Sequence, residues 1–418
     1  MAIYFRKNRS LLLLVSLLQF SIAASSQNNN LQFYLNRALG SSPLIKDDQN
    51  QILSNQLDSQ RILAGYKPQV TGTSFNMYAP VIGGYGYDLA ISNGGNFTTV
   101  VGVDKTWVGR KNLATQFGAI NLQNQSIKNN SRITEQELKR NVAAQYIVAF
   151  GDMQQLNFYR ETHDLLQKEE GILKDLTQKN VYHQSDYLSF LVTVKQQALQ
   201  FKQLQIQFEN DFATLNYICG IMDTSTVLLD DPDIRLEHLP DISHSIFLKQ
   251  FEIDSLKLSN SKAILDFNYK PKAHLFADAG YSSSLAYEAY KNFGTSFGFS
   301  ITVPIYDGHA KKLLYGKIDI AERTRNEYKT FFTSQYQQQI AQLSQQLHAT
   351  EELIGQINDQ IKYSESLIDV NGKLLETGDV RIADYIIALS NYLNARNLLT
   401  QNNITRMQII NQINYWNR

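Results

Sequence analysis

From Ile340 to Leu375 apolar residues return at alternating steps of three and four, through Leu343, Leu347, Ile354, Ile357, Ile361 and Ile368, with Thr350, Ser364 and Asn371 filling the remaining places of the stripe. A second stripe of the same spacing runs from Tyr187 through Leu191, Val194, Ala198, Phe201, Gln205, Phe208 and Phe212 to Leu215. A 3.5-residue period belongs to helices packed along helices and not to strands. Proline, which would break such helices, is absent from 81–231 and from 305 to the C-terminus. The tract from Asn112 to about Asn180 is therefore predicted as one helix, which at 1.5 Å per residue would run for roughly 100 Å. Off the stripes the tracts are rich in Gln, Asn and Lys, as expected of helices with water on one side and other helices on the other.

A different period appears in two shorter places. Phe293, Phe297, Phe299, Ile301 and Val303 alternate with Gly294, Ser296, Gly298, Ser300 and Thr302, so that a strand here has one greasy face and one small, polar face. Phe97, Thr99, Val101 and Val103 alternate less cleanly with Thr98, Val100, Gly102 and Asp104. A weaker strand precedes each, at about Gln69–Tyr78 and Lys272–Tyr281, across Gly/Asn/Tyr-rich stretches such as GGYGYDLAISNGGN. These are two hairpins of strands about ten residues long, the length a tilted membrane strand requires. A strand of a soluble sandwich alternates as well. Four strands are too few to close a membrane barrel, whose minimum is about eight, so spanning a bilayer would require several chains to share one barrel.

GYKPQV at 65–70 and NYKPKA at 268–273 place two of only seven prolines behind Tyr-Lys, each after a helix-like run and before a strand-like one. Proline fixes φ and drives the preceding residue out of the helical region, so both sites mark helix-to-strand corners. Matched landmarks lie about two hundred residues apart, too far for a solenoid repeat: Tyr66 with Tyr269, Val103 with Val303, and Asp186 with Asp384. The organisation expected is a signal segment at 1–26, a first structural repeat at 27–220 (helix, two membrane strands, long helical hairpin), a linker at 221–245 and a second repeat of the same order at 246–418.

Residues 1–26 carry a basic start (Arg6, Lys7, Arg9), an apolar run from Leu11 to Ile22 and small residues Ala23-Ala24-Ser25-Ser26, the layout of a cleaved secretory signal. The whole chain has 39 basic and 39 acidic residues, and removal of the signal leaves it slightly acidic, which argues against a nucleic-acid partner. Past the signal no apolar run reaches transmembrane-helix length, so membrane contact would have to come from the strands. The single cysteine, Cys219, allows no internal disulfide and reads as a small buried residue. His238 and His244 lack companions at metal-ligand spacing, and DDPDIRL at 230–236 lacks the Gly and terminal Glu of a calcium loop and reads as a solvated turn.

Taken in order, several short motifs resemble the outer-membrane efflux protein family, the TolC-like channels. They are the SSPLIKDDQNQIL opening, the GYKPQV corner, LNYICG closing the first half, VPIYDGHAKKLLYGK where strand returns to helix, and the Gly378-to-Asp384 turn. The resemblance spans nearly the whole mature chain. It implies an α+β membrane protein, a homotrimer in which three chains build a long α-helical coiled-coil barrel and share one transmembrane β-barrel. The implied role is a passive exit duct of a tripartite efflux or type I secretion system for small molecules, metal ions or polypeptides, located in the outer membrane and extending into the periplasm. Its partners would be outer-membrane lipid, a periplasmic adaptor (membrane fusion protein) and an inner-membrane pump of RND or ABC type. No catalysis, metal or cofactor is implied.

On this resemblance Asp384, with Ile387 one turn inward, would form the pore constriction; the other reading of Asp384, as of Asp186 at the matching place, is a cap or first-turn residue that favours the helix dipole. Asn180, Gln184, Gly378 and Asp379 would be the adaptor-contact tips, and Phe97, Phe297, Phe299 and Ile301 would face lipid. Loops 79–96 and 282–292 would lie outside the cell, and Tyr66 and Tyr269 near the bilayer surface. The alternative is a periplasmic adaptor or a coiled-coil structural protein of the envelope without a pore. Two recurring helical hairpins, each with its own strand pair greasy on one face, speak against both.

Overall fold

The computed structural model describes residues 29–92, 94–236, 238–242, 245–285 and 288–417. The expected signal segment and His244 lie outside them. In chain order the helices are α1 (Leu31–Ser41), α2 (Pro43–Gly65), α3 (Arg110–Gln178), α4 (Gln184–Cys219), α5 (Ile246–Asn268), α6 (Ala310–Thr377) and α7 (Ile382–Tyr415), and the strands are β1 (Gln69–Tyr78), β2 (Gly95–Trp107), β3 (Lys272–Ser283) and β4 (Phe293–Thr302). The order helix, strand, strand, long helix, helix thus occurs twice, as α2-β1-β2-α3-α4 and α5-β3-β4-α6-α7. Among the described residues no helix is long and apolar enough to cross a membrane. The chain divides into two compact units, one of Met1–Pro43 (described from residue 29), Glu135–Asp241 and Gln337–Arg418, the other of Leu44–Thr134 and Ile242–Tyr336.

The first unit is all helix and connecting segments. Both heptad stripes are its inward faces: along α6 every stripe position from Ile340 to Leu375 is buried or half-buried, and the same holds along α4 from Tyr187 to Leu215. Leu343 and Leu347 of α6 pack on Ile409, Ile410 and Ile413 of α7, while Ile357 and Ile361 close on Ala395. The largest core joins α1, α3 and α4 through Tyr34, Tyr146, Phe150, Phe208, Phe212 and Cys219. Burial pushes the Cys219 thiol up to about 12, so it sits there as an inert apolar group. The Tyr146 hydroxyl lies 2.7 Å from the carbonyls of both Asn29 and Asp230, which ties the start of α1 and the 221–241 segment to α3. In that segment Asp233 pairs with Arg235 at 2.6 Å on the surface, with both side chains exposed.

The second unit carries one antiparallel sheet of order β1-β2-β3-β4. The two hairpins are sewn together by β2 and β3, which pair from Phe97↔Ser283 to Trp107↔Ala273. β1 and β4 are the edges, and among the described residues neither has a second strand partner. Both Tyr-Lys-Pro corners end a helix and start a strand: α2 stops at Gly65 and β1 begins at Gln69, and α5 stops at Asn268 and β3 begins at Lys272. The helices beside the sheet meet through amides as much as through apolar contacts. Asn260 donates to the Thr115 carbonyl at 3.2 Å and Asn129 to the Ile246 carbonyl at 3.0 Å.

Candidate functional site

Antiparallel partners point to the same side of a sheet, so the registers sort every strand residue onto one of two faces. One face collects Phe293, Phe297, Phe299 and Ile301 of β4, Ala273, Leu275, Ala277 and Ala279 of β3, Phe97, Val101, Val103 and Trp107 of β2, and Val70 of β1, with Lys105, Thr99, Thr295, Ser74 and Asn76 as its polar members. Within the chain most of these apolar side chains are exposed: Phe297 is 88% exposed, Phe299 72% and Val70 67%. Tyr78 and Tyr281 sit on this face at one end of the strands and Trp107 at the other, the layout of an aromatic girdle. The four residues read from sequence as lipid-facing, Phe97, Phe297, Phe299 and Ile301, are thus brought to one side.

The opposite face holds Thr71, Thr73, Thr98, Asp104, Asp278, Ser296 and Ser300, with Phe75, Met77, Val100 and Phe276 as its large apolar members. The Ser296 hydroxyl donates to Asp278, and the Phe276 ring covers Gly298 so closely that a Cβ there would meet it at 2.6 Å. One sheet therefore offers a mainly apolar face and a mainly polar one, with β1 and β4 as its open edges among the described residues.

The second site is the pair of helix turns in the first unit. Both long helices stop the same way. After α3, Asn180 takes φ 59° and the Val181 amide donates to the Leu176 carbonyl at 2.9 Å. After α6, Gly378 takes φ 81° and the Asp379 amide donates to the Leu374 carbonyl at 2.9 Å. A left-handed residue followed by this reach five residues back satisfies carbonyls that a helix end leaves open.

The turns are packed against each other. A Cβ on Gly378 would lie 2.5 Å from Cγ1 of Val181, and the Tyr182 hydroxyl lies 2.9 Å from the Val380 carbonyl and 3.4 Å from that of Leu375. Beneath them Leu166, Leu173, Phe190, Leu375, Ile382 and Tyr385 form a continuous core. The four predicted tip residues, Asn180, Gln184, Gly378 and Asp379, accordingly lie in or beside two adjoining turns. The Tyr182 contact was not singled out from the sequence. Its only signal there is an aromatic residue inside a tight turn.

Asp186 and Asp384 occupy matching first-turn places but do different work. The Asp186 carboxylate accepts from the His183 amide at 3.1 Å, closing the start of α4. Asp384 instead grips Arg381 in a fork, with Nε to Oδ2 at 2.8 Å and Nη2 to Oδ1 at 3.0 Å. The Arg381 side chain is 83% exposed. Ile387 lies three residues on, on the same face of α7, and is 57% exposed, whereas Ile382, Tyr385 and Leu389 point into the core. Among the described residues no group of three or more His, Cys, Asp or Glu side chains could hold a metal ion.

No known protein family and no curated protein matches the sequence. Solved structures do match. A membrane protein from Pseudomonas aeruginosa superposes with a TM-score of 0.73 at 13% identity over 92% of each chain. The outer-membrane channel OprN does so with a TM-score of 0.72 at 11% identity, over 92% of this chain and 89% of its own. CusC, whose structures describe transmembrane channel formation, gives 0.72 at 15% identity over 93% and 92%. The fold is that of these outer-membrane channels.

Proposed function

We propose that this protein is the outer-membrane channel of a tripartite efflux or type I secretion system, a passive duct rather than an enzyme. The observation that carries the reading is the four-stranded sheet with one exposed apolar face, one polar face and two unpaired edges. In a bilayer core every backbone group must be bonded within the protein, so an open sheet cannot remain there alone. Closure of β4 of one copy onto β1 of the next removes all edges, and three copies give a barrel of about twelve strands, above the minimum of about eight. The apolar face then meets lipid and the polar face lines water.

The two structural repeats, 27–220 and 246–418 with the linker between them, are read as a duplication that supplies two hairpins per chain to barrel and tunnel alike. The adjoining turns at 180–184 and 378–381 are the periplasmic tips, where Asn180, Gln184, Gly378 and Asp379 meet an adaptor that links the channel to an inner-membrane pump. Asp384 and Ile387 lie at the constriction of the helical tunnel, and three copies of Asp384 make a ring able to bind cations. Membrane fractionation tests the reading. The protein is expected in the outer membrane, released only by detergent and as a trimer, whereas a monomer recovered with soluble periplasmic contents contradicts it.

A further inference from the structure

The seam between α3 and α4 contains a group that none of the channel chemistry uses. Asp152, on α3, is 4% exposed and sits between Met153 and Phe150 of the main core. Its Oδ1 accepts from Gln207 Nε2 of α4 at 2.9 Å, but its Oδ2 is fully enclosed and meets no donor. Close by, one turn beyond Gln207 on α4, stands a second carboxyl, Asp211, whose negative charge acts on Asp152. The Asp211 Oδ1 in turn accepts from Gln145 Nε2 at 3.2 Å, the same amide that reaches the Asp211 carbonyl at 3.0 Å.

Among the described residues no positive charge acts on Asp152. α1 meets this core through Tyr34 and Ala38, and the 221–241 segment through Leu229, whose amide points to Sδ of Met153 at 3.2 Å. α7 reaches it through Ile404, which lies over Gly151. Among the described residues Asp211 is the one charged group that acts on Asp152.

Ionised carboxylates only accept, so a buried one and a half-buried one side by side in the seam have no hydrogen bond to make to each other and a repulsion to bear. One proton changes both facts, because it turns one carboxyl into a donor to the other. We infer that Asp152 and Asp211 form a proton-binding site in the α3–α4 seam, holding one proton between two carboxyls, and that loss of this proton loosens the seam. Burial, then the hydrogen bond to Asp211 and its negative charge, push the Asp152 carboxyl up to about 7, with Gln207 pulling the other way. The direction of the linkage follows. An acid raised on folding gives its full stabilisation below the unfolded value near 4 and loses it as pH rises towards the folded value near 7. The seam is therefore tightest in acid and weakest above neutrality. The inference stands on the helical hairpin alone and holds whether or not the chain is a channel.

The test uses the full chain in detergent micelles. The apparent Tm of the parent is expected to fall between pH 5 and pH 8, and Asp152→Asn, which keeps the shape but cannot ionise, should flatten that fall and gain on the parent as pH rises. Hydrogen exchange over 145–156 and 204–215, corrected for its intrinsic pH dependence, should quicken at pH 8 in the parent and not in the variant. Should Asp152→Asn fail to fold, Asp211→Asn and the infrared signature of a protonated carboxyl at pH 6 in the parent carry the test. Equal pH slopes in parent and variants, or no protonated carboxyl at pH 6, would overturn the proposal. So would a chelator that lowers the parent's Tm and spares Asp152→Asn, because a bridging cation and not a proton would then hold the pair.

Discussion

The two halves of this chain follow one plan with different chemistry at the matched places. The first corner is fastened by neutral groups: Gln116 Nε2 donates to the Tyr66 hydroxyl at 2.6 Å and to Asn112 Oδ1 at 3.0 Å. The second is fastened by charge. Lys311 reaches Asp266 at 2.9 Å, the Tyr315 hydroxyl donates to the same carboxylate at 2.6 Å, and the Asp307 carboxylate receives the Lys311 amide at 2.7 Å. These bonds hold the Asp266 and Asp307 carboxyls below the usual range and raise the Lys311 ammonium. At the far ends of the long helices the contrast recurs. The first turn uses Asn180 where the second uses Gly378, and the first Asp closes its own helix where the second holds an exposed arginine. Backbone geometry is common to both halves, so it is what the fold demands. The side chains at the matched places are what differ.

The largest expected effect separates the faces of β4. Arg at the midplane of a lipid-facing strand costs about 2–4 kcal/mol per chain, incurred three times in a trimer. Phe299→Arg should cut the yield of assembled trimer many-fold, while Ser300→Arg, one residue on and on the polar face, should leave it within about twofold. Quantifying trimer in outer-membrane fractions decides this, and equal losses from the two would remove the assignment of faces.

Next come the turns. Gly378→Val puts a branched residue at φ 81° and drives its Cβ into Val181, a backbone cost of about 1–3 kcal/mol before the clash. Asn180→Gly meets no such penalty and should leave stability unchanged or slightly raised. Thermal melts of both variants compare the turns directly, and a neutral Gly378→Val would show that the second turn is free to move away from the first.

The paired aspartates give a smaller and more selective contrast. Asp384→Asn removes three charges from a trimer and should weaken block by divalent or trivalent cations. Arg381→Gln, which leaves Asp384 uncompensated, should strengthen it. Asp186→Ala should change neither and instead cost about 1 kcal/mol of stability through the lost helix start. Single-channel recordings that respond alike to Asp186 and Asp384 substitutions would erase the distinction. The smallest effect belongs to the corners: raising the salt concentration should loosen the 266–315 corner and spare the Tyr66–Gln116 one, as read by hydrogen exchange at the two sites.

How much was legible in the sequence depended on how local each feature is. Helix α3, expected from Asn112 to about Asn180, runs from Arg110 to Gln178, and β1 falls at Gln69–Tyr78, where a strand is expected after the Tyr-Lys-Pro corner. Both periods are written in consecutive residues, and the prolines at 68 and 271 mark where one gives way to the other. Pairing of β2 with β3 was not legible, because nothing in either strand names a partner so distant in the chain. The same is true of the Tyr182 hydroxyl over Val380, of Arg381 as the partner of Asp384, and of Asp152 against Asp211. A polar residue in a helix reads as solvated until the fold supplies the neighbour that buries it.

The central claim is that three copies of this chain close one pore, and planar-bilayer recording of the purified, detergent-extracted trimer tests it most directly. Discrete, ohmic conductance steps of one size class, reduced by divalent cations in the parent and less so in Asp384→Asn, are the result expected. A folded trimer that inserts into the bilayer and passes no current, in the parent and in Asp384→Asn alike, would contradict it.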